Sequence, residues 1–290
     1  MANQQPFYIR SRSKTTTAWN NGVMAFRRTP VVAALLVGVL LASIAASRWG
    51  SPTPPLTASL QGANRLVSNE YAMSHPEDAS AVPSRIWLVT SGSLFVRDGV
   101  GYSGAPTRGT VDAHSAKQTN SAVLRAVTRQ IEPADVALNM RMRLLGLVPG
   151  DGEIDSSWDG FHVFVRYRSV AEFYLVSAAA RDGFLTIRRK RPGGDSNGGH
   201  YVTLTSATFP WKLNQWYRLQ VRTLDTPQGV RLRVFVDGRQ VLDVTDTGFD
   251  REAPIRGGGR IGIRGDNTEF EVADLKAVAC TDASASACGP

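Results

Sequence analysis

The chain has 290 residues, 42% hydrophobic and 20% charged, with two cysteines and a formal net charge of +8. That composition excludes a disordered or collagen-like chain and a disulfide-dense miniature domain. The charge would suggest a nucleic-acid partner if it were spread evenly. Residues 1–50, however, hold Arg10, Arg12, Lys14, Arg27, Arg28 and Arg48 and no Asp or Glu, while the other 240 residues carry 27 basic and 25 acidic side chains. So little excess positive charge does not hold phosphate backbones, and no nucleic-acid partner is expected.

In chain order, residues 1–30 lack apolar periodicity and read as a disordered tail. Residues 31–47, VVAALLVGVLLASIAAS, form an uncharged run. At about 1.5 Å per residue this run spans roughly 25 Å as a helix. With Arg27-Arg28 before it, the positive-inside rule places the tail in the cytoplasm and everything after residue 48 outside. The segment 31–48 is read as a single-pass signal anchor. The alternative is a signal peptide cut among the small residues 43–46, which would make the protein secreted. Residues 49–61 are Pro-rich and polar at their start and read as a semi-rigid linker.

Residues 62–279 read as strands. DVALNMRMRL (135–144) alternates with Val136, Leu138, Met140 and Met142 on one face and Asn139, Arg141 and Arg143 on the other. FHVFVRYR (161–168) sets Val163, Val165 and Tyr167 against His162, Phe164, Arg166 and Arg168. EFYLVSA (172–178) and FLTIRRK (184–190) flank Arg181-Asp182-Gly183, where Asp-Gly is expected to supply the positive-φ positions of a hairpin. RPGGDSNGGH (191–200) reads as a loop. WYRLQVRT (216–223), VRLRVFV (230–236), the Asp237-Gly238 hairpin, QVLDVT (240–245), RIGIR (260–264) and EFEVADLKAV (269–278) complete the set. No amphipathic helix of useful length is present, which predicts an all-β antiparallel β-sandwich or jelly roll. Cys280 and Cys288 are read as a small disulfide closing the tail 280–290. Two cysteines in so long an exported chain suggest a bacterial source.

The string from Trp216-Tyr217-Arg218-Leu219 through VRLRVFVDGRQVLDVTD to GRIGIRGDNTEFEVADLKA resembles the concanavalin A-like lectin/glucanase superfamily, laminin G-like domains in particular. WLVTSGSLFVRDGVGYSG (87–104) is similar to the opening strands of such sandwiches, so the resemblance covers roughly residues 64–278. It implies a lectin-like fold. It does not choose among lectins, glycoside hydrolases, polysaccharide lyases and protein-binding modules.

Hydrolases of this superfamily carry Glu-x-Asp-x-x-Glu on one strand. Glu153-Ile154-Asp155 begins such a motif, but Ser157 and Trp158 follow where the third acid belongs. The stretch around it, including Asp159, reads as a solvated acidic loop. A second candidate is a basic and aromatic sheet face formed by Arg141, Arg143, His162, Arg166, Tyr174, Arg188, Lys190, His200 and Tyr201. If their strands share one sheet, these side chains line a saccharide groove in which Arg could neutralise a uronate and His or Tyr could move a proton. The run Arg188-Arg189-Lys190-Arg191 reads as a solvated strand end. No cofactor is required. A structural Ca²⁺ is a candidate, with Glu70 and Asp274 as ligands and Asp266 and Asn267 as further oxygen donors. With no convergent acid/base set, the expectation is an extracytoplasmic, membrane-tethered carbohydrate-binding module whose partner is a polysaccharide or glycan. A lyase or hydrolase in the same groove and an ectodomain that binds an envelope protein are the alternatives.

Overall fold

The computed structural model describes residues 56–58, 60–104, 122–147 and 157–280. The apolar segment 31–48, the linker up to residue 55, Glu153-Ile154-Asp155 and Cys288 lie outside the described residues. Among the described residues no helix is long and apolar enough to cross a membrane. The helix α1 (Glu70–Ser74) is little more than one turn, capped by Asn69, whose side-chain oxygen accepts from the Ala72 N–H at 2.9 Å.

Two antiparallel sheets face each other. The nine-stranded sheet runs β14 (Arg239–Asp246), β13 (Gly229–Val236), β12 (Trp216–Thr226), β7 (Val136–Leu147), β16 (Thr268–Ala279), β5 (Val100–Tyr102), β4 (Ser93–Arg97) and β2 (Arg65–Asn69), with β1 (Leu56–Thr57) added to β16. The seven-stranded sheet runs β11 (Gly199–Thr208), β10 (Phe184–Ser196), β9 (Glu172–Ala179), β8 (Gly160–Ser169), β15 (Arg260–Asp266), β6 (Ala122–Thr128) and β3 (Trp87–Ser91). The pleat turns alternate residues of each strand inward. Leu138, Met140, Met142, Leu219, Val221, Leu232 and Val272 meet Trp87, Val89, Phe161, Val163, Val176, Ile187 and Ile263 in one core. The fold expected from the strand pattern is therefore the fold observed.

Three details differ from the expectation. Leu56, Ala58 and Leu60, assigned to the linker by composition, are buried, and Leu56 pairs with Ala277 of β16. Residues 191–200 are a hairpin rather than a loop: β10 continues to Ser196, and Asn197-Gly198 turns the chain with φ of 50° and 73°. At Asp182-Gly183 only the glycine takes a positive φ, whereas Asp237-Gly238 takes it at both positions, as a two-residue type I′ turn needs.

The core also holds a polar knot. Arg166 has φ of 53° at an irregularity in the β8 ladder, and its guanidinium turns inward. There it donates to Asp225 Oδ1 at 2.7 Å and to the carbonyls of Ile255 and Ala134. Tyr174 donates to Asp246 Oδ2 at 2.6 Å and accepts from the Ile255 N–H at 2.9 Å. Arg189 donates to both oxygens of Asp246 at 2.9 and 3.0 Å. Burying these charges is tolerable because each cation has an anion and each anion several donors.

Candidate saccharide-binding cleft

The outward face of the seven-stranded sheet is built in rows by the ladder register. Ser206, Thr186, Ser177, His162, Arg264 and Arg125 are successive cross-strand partners and form a polar row. The adjacent row runs Thr203, Arg188, Leu175, Phe164, Gly262 and Val127. Phe164, Phe173, Leu175 and Val127 form a small apolar cluster on this face, separate from the main core, with Tyr167 and Tyr201 packed against it. Phe173 stacks on Tyr167 at 5.6 Å between centroids and meets Tyr201 edge-on at 6.1 Å.

Over these rows lies a cleft of about 290 Å³. Its floor is His162, Leu175, Arg188, Lys190, Tyr201, Arg264 and Asp266. Trp158 and Asp195, Ser196 and Asn197 of the β10–β11 hairpin complete the lining. Trp158 lies two residues before β8 and is 45% exposed, unusual for a large aromatic with a core available to it.

Among the described residues, cations outnumber carboxylates on the cleft floor. Arg264 donates through Nε to Asp266 Oδ1 at 2.5 Å, and His162 Nε2 lies 3.1 Å from Asp266 Oδ2. Burial pushes the Asp266 carboxyl up, but Arg264 and His162 outweigh it and bring it down to about 2. Lys190 donates to the Val170 carbonyl at 2.8 Å, with its ammonium 5.0 Å from the Tyr201 ring centroid. Burial, then Arg264 and Arg125, lower Lys190 to about 8. Burial and Arg264 lower Arg125 as well, and burial raises Tyr201. Arg188 has no ion-pair or hydrogen-bond partner among the described residues, and its Nε is buried. Ser177 Oγ and His162 Nδ1 are likewise buried and without a hydrogen bond.

Of the sequence-nominated residues, the structure brings together His162, Arg188, Lys190 and Tyr201. It removes the other five from that face. Arg141 and Arg143 belong to the nine-stranded sheet, because β7 pairs with β12 and β16 and not with β8. There Arg141 Nε donates to Asp274 at 2.6 Å, Arg143 Nε donates to Glu271 at 2.8 Å, and both guanidinium groups lie about 5 Å from the Trp216 ring centroid. Arg166 and Tyr174 belong to the interior knot. His200 precedes Tyr201 on β11 and so faces the opposite side, 3.5 Å from Glu252. The run 188–191 is not a solvated strand end either, since Arg189 is fully buried and Lys190 is 2% exposed.

The calcium expectation gains no geometry. Among the described residues no group of three His, Cys, Asp or Glu could hold a metal. Asp274 is taken by Arg141, and a Glu70 carboxylate oxygen accepts from the Gly92 N–H at 3.3 Å. Cys280 closes β16 with its N–H on the Asp135 carbonyl at 2.8 Å, while its expected partner Cys288 is outside the described residues. Sequence reasoning passed over Trp158, Arg264 and the hairpin tip as binding groups. The signal available for Trp158 was its place beside acidic and small residues, outside any alternating run.

No protein-family profile matches the chain, and no curated protein matches it. Among solved structures it is similar to the carbohydrate binding module CBM66 from Bacillus subtilis, at TM-score 0.45 and 12% identity over 67% of this chain and 95% of that one. It is also similar to a β-1,3-1,4-glucanase (lichenase) derived from a mouse hindgut metagenome, at TM-score 0.44 and 10% identity over 78% and 98%. The exoplasmic/lumenal domain of VIP36, in a form bound to Ca²⁺ and Man3GlcNAc, matches at TM-score 0.44 and 11% identity over 78% and 91%. These neighbours are concanavalin A-like, jelly-roll β-sandwiches. Likenesses this remote assign no ligand to this chain.

Proposed function

We propose that this domain is an extracytoplasmic carbohydrate-binding module, tethered through residues 31–48, which takes a saccharide in the cleft on the outward face of the seven-stranded sheet. One observation carries the reading. The exposed Trp158 and the Tyr201 ring share that cleft with Arg188, whose guanidinium has no hydrogen bond or ion pair among the described residues. A sugar offers what such a site lacks, hydroxyls for the polar atoms and a C–H face for the rings. At about 290 Å³ the cleft is at the small end of ligand pockets, the size for a short stretch of glycan rather than a buried polymer. Affinity electrophoresis of the full chain against a polysaccharide panel, backed by a glycan array, tests it. Retardation by at least one polysaccharide is expected, and no binding to any member would reject the reading.

A second reading, catalysis in the same cleft, is favoured by the His162–Asp266 contact and by a lysine titrating at about 8. Against it, both His162 and Lys190 are almost fully covered, so neither reaches a substrate proton without the cleft opening. A module that only binds yields no new reducing ends and no unsaturated uronate absorbing in the ultraviolet. Appearance of either product would move the assignment to a hydrolase or lyase.

A further inference from the structure

Resting on the carbohydrate reading, the geometry points to a narrower ligand class: the cleft takes an acidic saccharide, whose carboxylate or sulfate is held by Arg188 beside Lys190 and Arg264. Four cations, Arg125, Lys190, Arg188 and Arg264, lie on or beside the floor, and among the described residues Asp266 is the one carboxylate there. Asp266 is already committed to Arg264 and His162. Asp195 is the other acid of the cleft, on the exposed rim at the hairpin tip.

Like charges gathered on a half-buried surface repel, and proteins ordinarily relieve this with interleaved acids. The nine-stranded sheet does so, pairing Arg141 with Asp274, Arg143 with Glu271 and Arg231 with Asp243. On the cleft floor that relief is missing at Arg188, whose guanidinium has no partner among the described residues and whose Nε is buried. A planar fork of donors, fixed on a strand and unmatched among the described residues, is the group that receives carboxylate or sulfate oxygens in paired hydrogen bonds. Lys190 sits two residues along the same strand and face and, although covered and bonded to the Val170 carbonyl, adds its positive potential to the anion site at Arg188. Trp158 and Tyr201 then flank the sugar ring that carries it. A neutral sugar would satisfy the hydroxyl-seeking atoms and leave the excess charge as it is.

The test compares matched polymers on the full chain: polygalacturonate with its carboxyl-reduced product, and dextran sulfate with dextran. Binding to the acidic member of at least one pair, at least about tenfold tighter than to its neutral counterpart, is expected. The pair that responds tells carboxylate from sulfate ester. Arg188→Gln is expected to lose most of that preference, about ten- to hundredfold in affinity, and to leave the fold intact, since this side chain makes no hydrogen bond or ion pair among the described residues. Arg218→Gln, an exposed arginine on the other sheet, is the control for unspecific attraction and is expected to change little. Equal binding of acidic and neutral members would overturn the acidic assignment and leave the carbohydrate reading standing. Acidic preference that survives Arg188→Gln, or falls equally with Arg218→Gln, would overturn the site. Silence across all four polymers and the broader panel would overturn both readings together.

Discussion

Arg189 pairs across the ladder with Tyr174, and Arg188 with Leu175, so two neighbouring arginines of one strand meet different worlds. Arg189 enters the interior and is neutralised by Asp246, while Arg188 faces the cleft without a counter-ion among the described residues. The same division separates two aromatic hydroxyl-bearing candidates. Tyr174 serves the fold, since its hydroxyl joins Asp246 to the Ile255 N–H, and burial with the Asp246 bond pushes its phenol far above the ordinary range. Tyr174→Phe leaves a buried acceptor and a buried donor each short of one bond. It is expected to cost about 1–3 kcal/mol in urea denaturation and to leave saccharide affinity unchanged. Trp158→Ala is expected to do the reverse, leaving the denaturation midpoint in place and weakening binding about tenfold or more, as loss of an exposed stacking ring should. Titration calorimetry on the two variants reads the contrast directly, and equal effects on binding would place Tyr174 back in the site.

Individual strands were legible because a half-buried strand writes its faces into an alternating sequence, as β7 and β12 do. Which sheet a strand joins is not written locally. It follows from long-range pairing, and nothing within NMRMR tells that its arginines lie on the sheet opposite His162. Arg166 was misplaced for a different reason: a left-handed residue in β8 breaks the period of two, and arginine is not a residue type that signals one. Cleft residues His162, Arg188, Lys190 and Tyr201 were recoverable because they lie on uninterrupted stretches. The β10–β11 hairpin was read as a loop because its Pro-Gly-Gly run masks strand character. Its geometry leaves no slack at Gly199, where a methyl group would come within 2.7 Å of Lys190 Cε, 2.8 Å of the Arg191 carbonyl and 3.2 Å of the Ala171 carbonyl. Two of those neighbours are backbone, so the hairpin itself must shift. Gly199→Ala is expected to destabilise by about 1–3 kcal/mol and to weaken ligand binding by displacing Lys190 and the rim. Far-ultraviolet circular dichroism at low temperature should remain that of a β-sandwich.

At the scale of the whole sandwich, three buried titratable groups give its stability a pH dependence with an inward dip. Asp266, held down to about 2, stabilises the fold above the ordinary carboxylate range, and that contribution is lost as the pH falls towards 2. Glu132 works in the opposite sense. It is 3% exposed with no hydrogen bond to Oε1, and burial raises it to about 7. A raised carboxyl binds more protons folded than unfolded, so its contribution is present below about 4.5 and is lost as the pH rises through 7. Lys190 is lowered to about 8 by burial, Arg264 and Arg125, with Tyr201 and Phe173 as its remaining close neighbours. Its unfolded form binds more protons between about 8 and the ordinary lysine value of about 10.4, so stability rises with pH across that window. Loss through 7 followed by recovery above 8 predicts a minimum between them. Glu132→Gln is expected to raise stability near pH 8 by about 2 kcal/mol and to flatten the acid side of the minimum. Lys190→Met is expected to flatten the alkaline side, at little cost in hydrogen bonding because the Val170 carbonyl it releases belongs to a surface residue. Chemical denaturation of the wild type and both variants from pH 4 to 10 checks this. A wild-type profile that climbs steadily through pH 7–8 would show that these two charges are solvated in the native state.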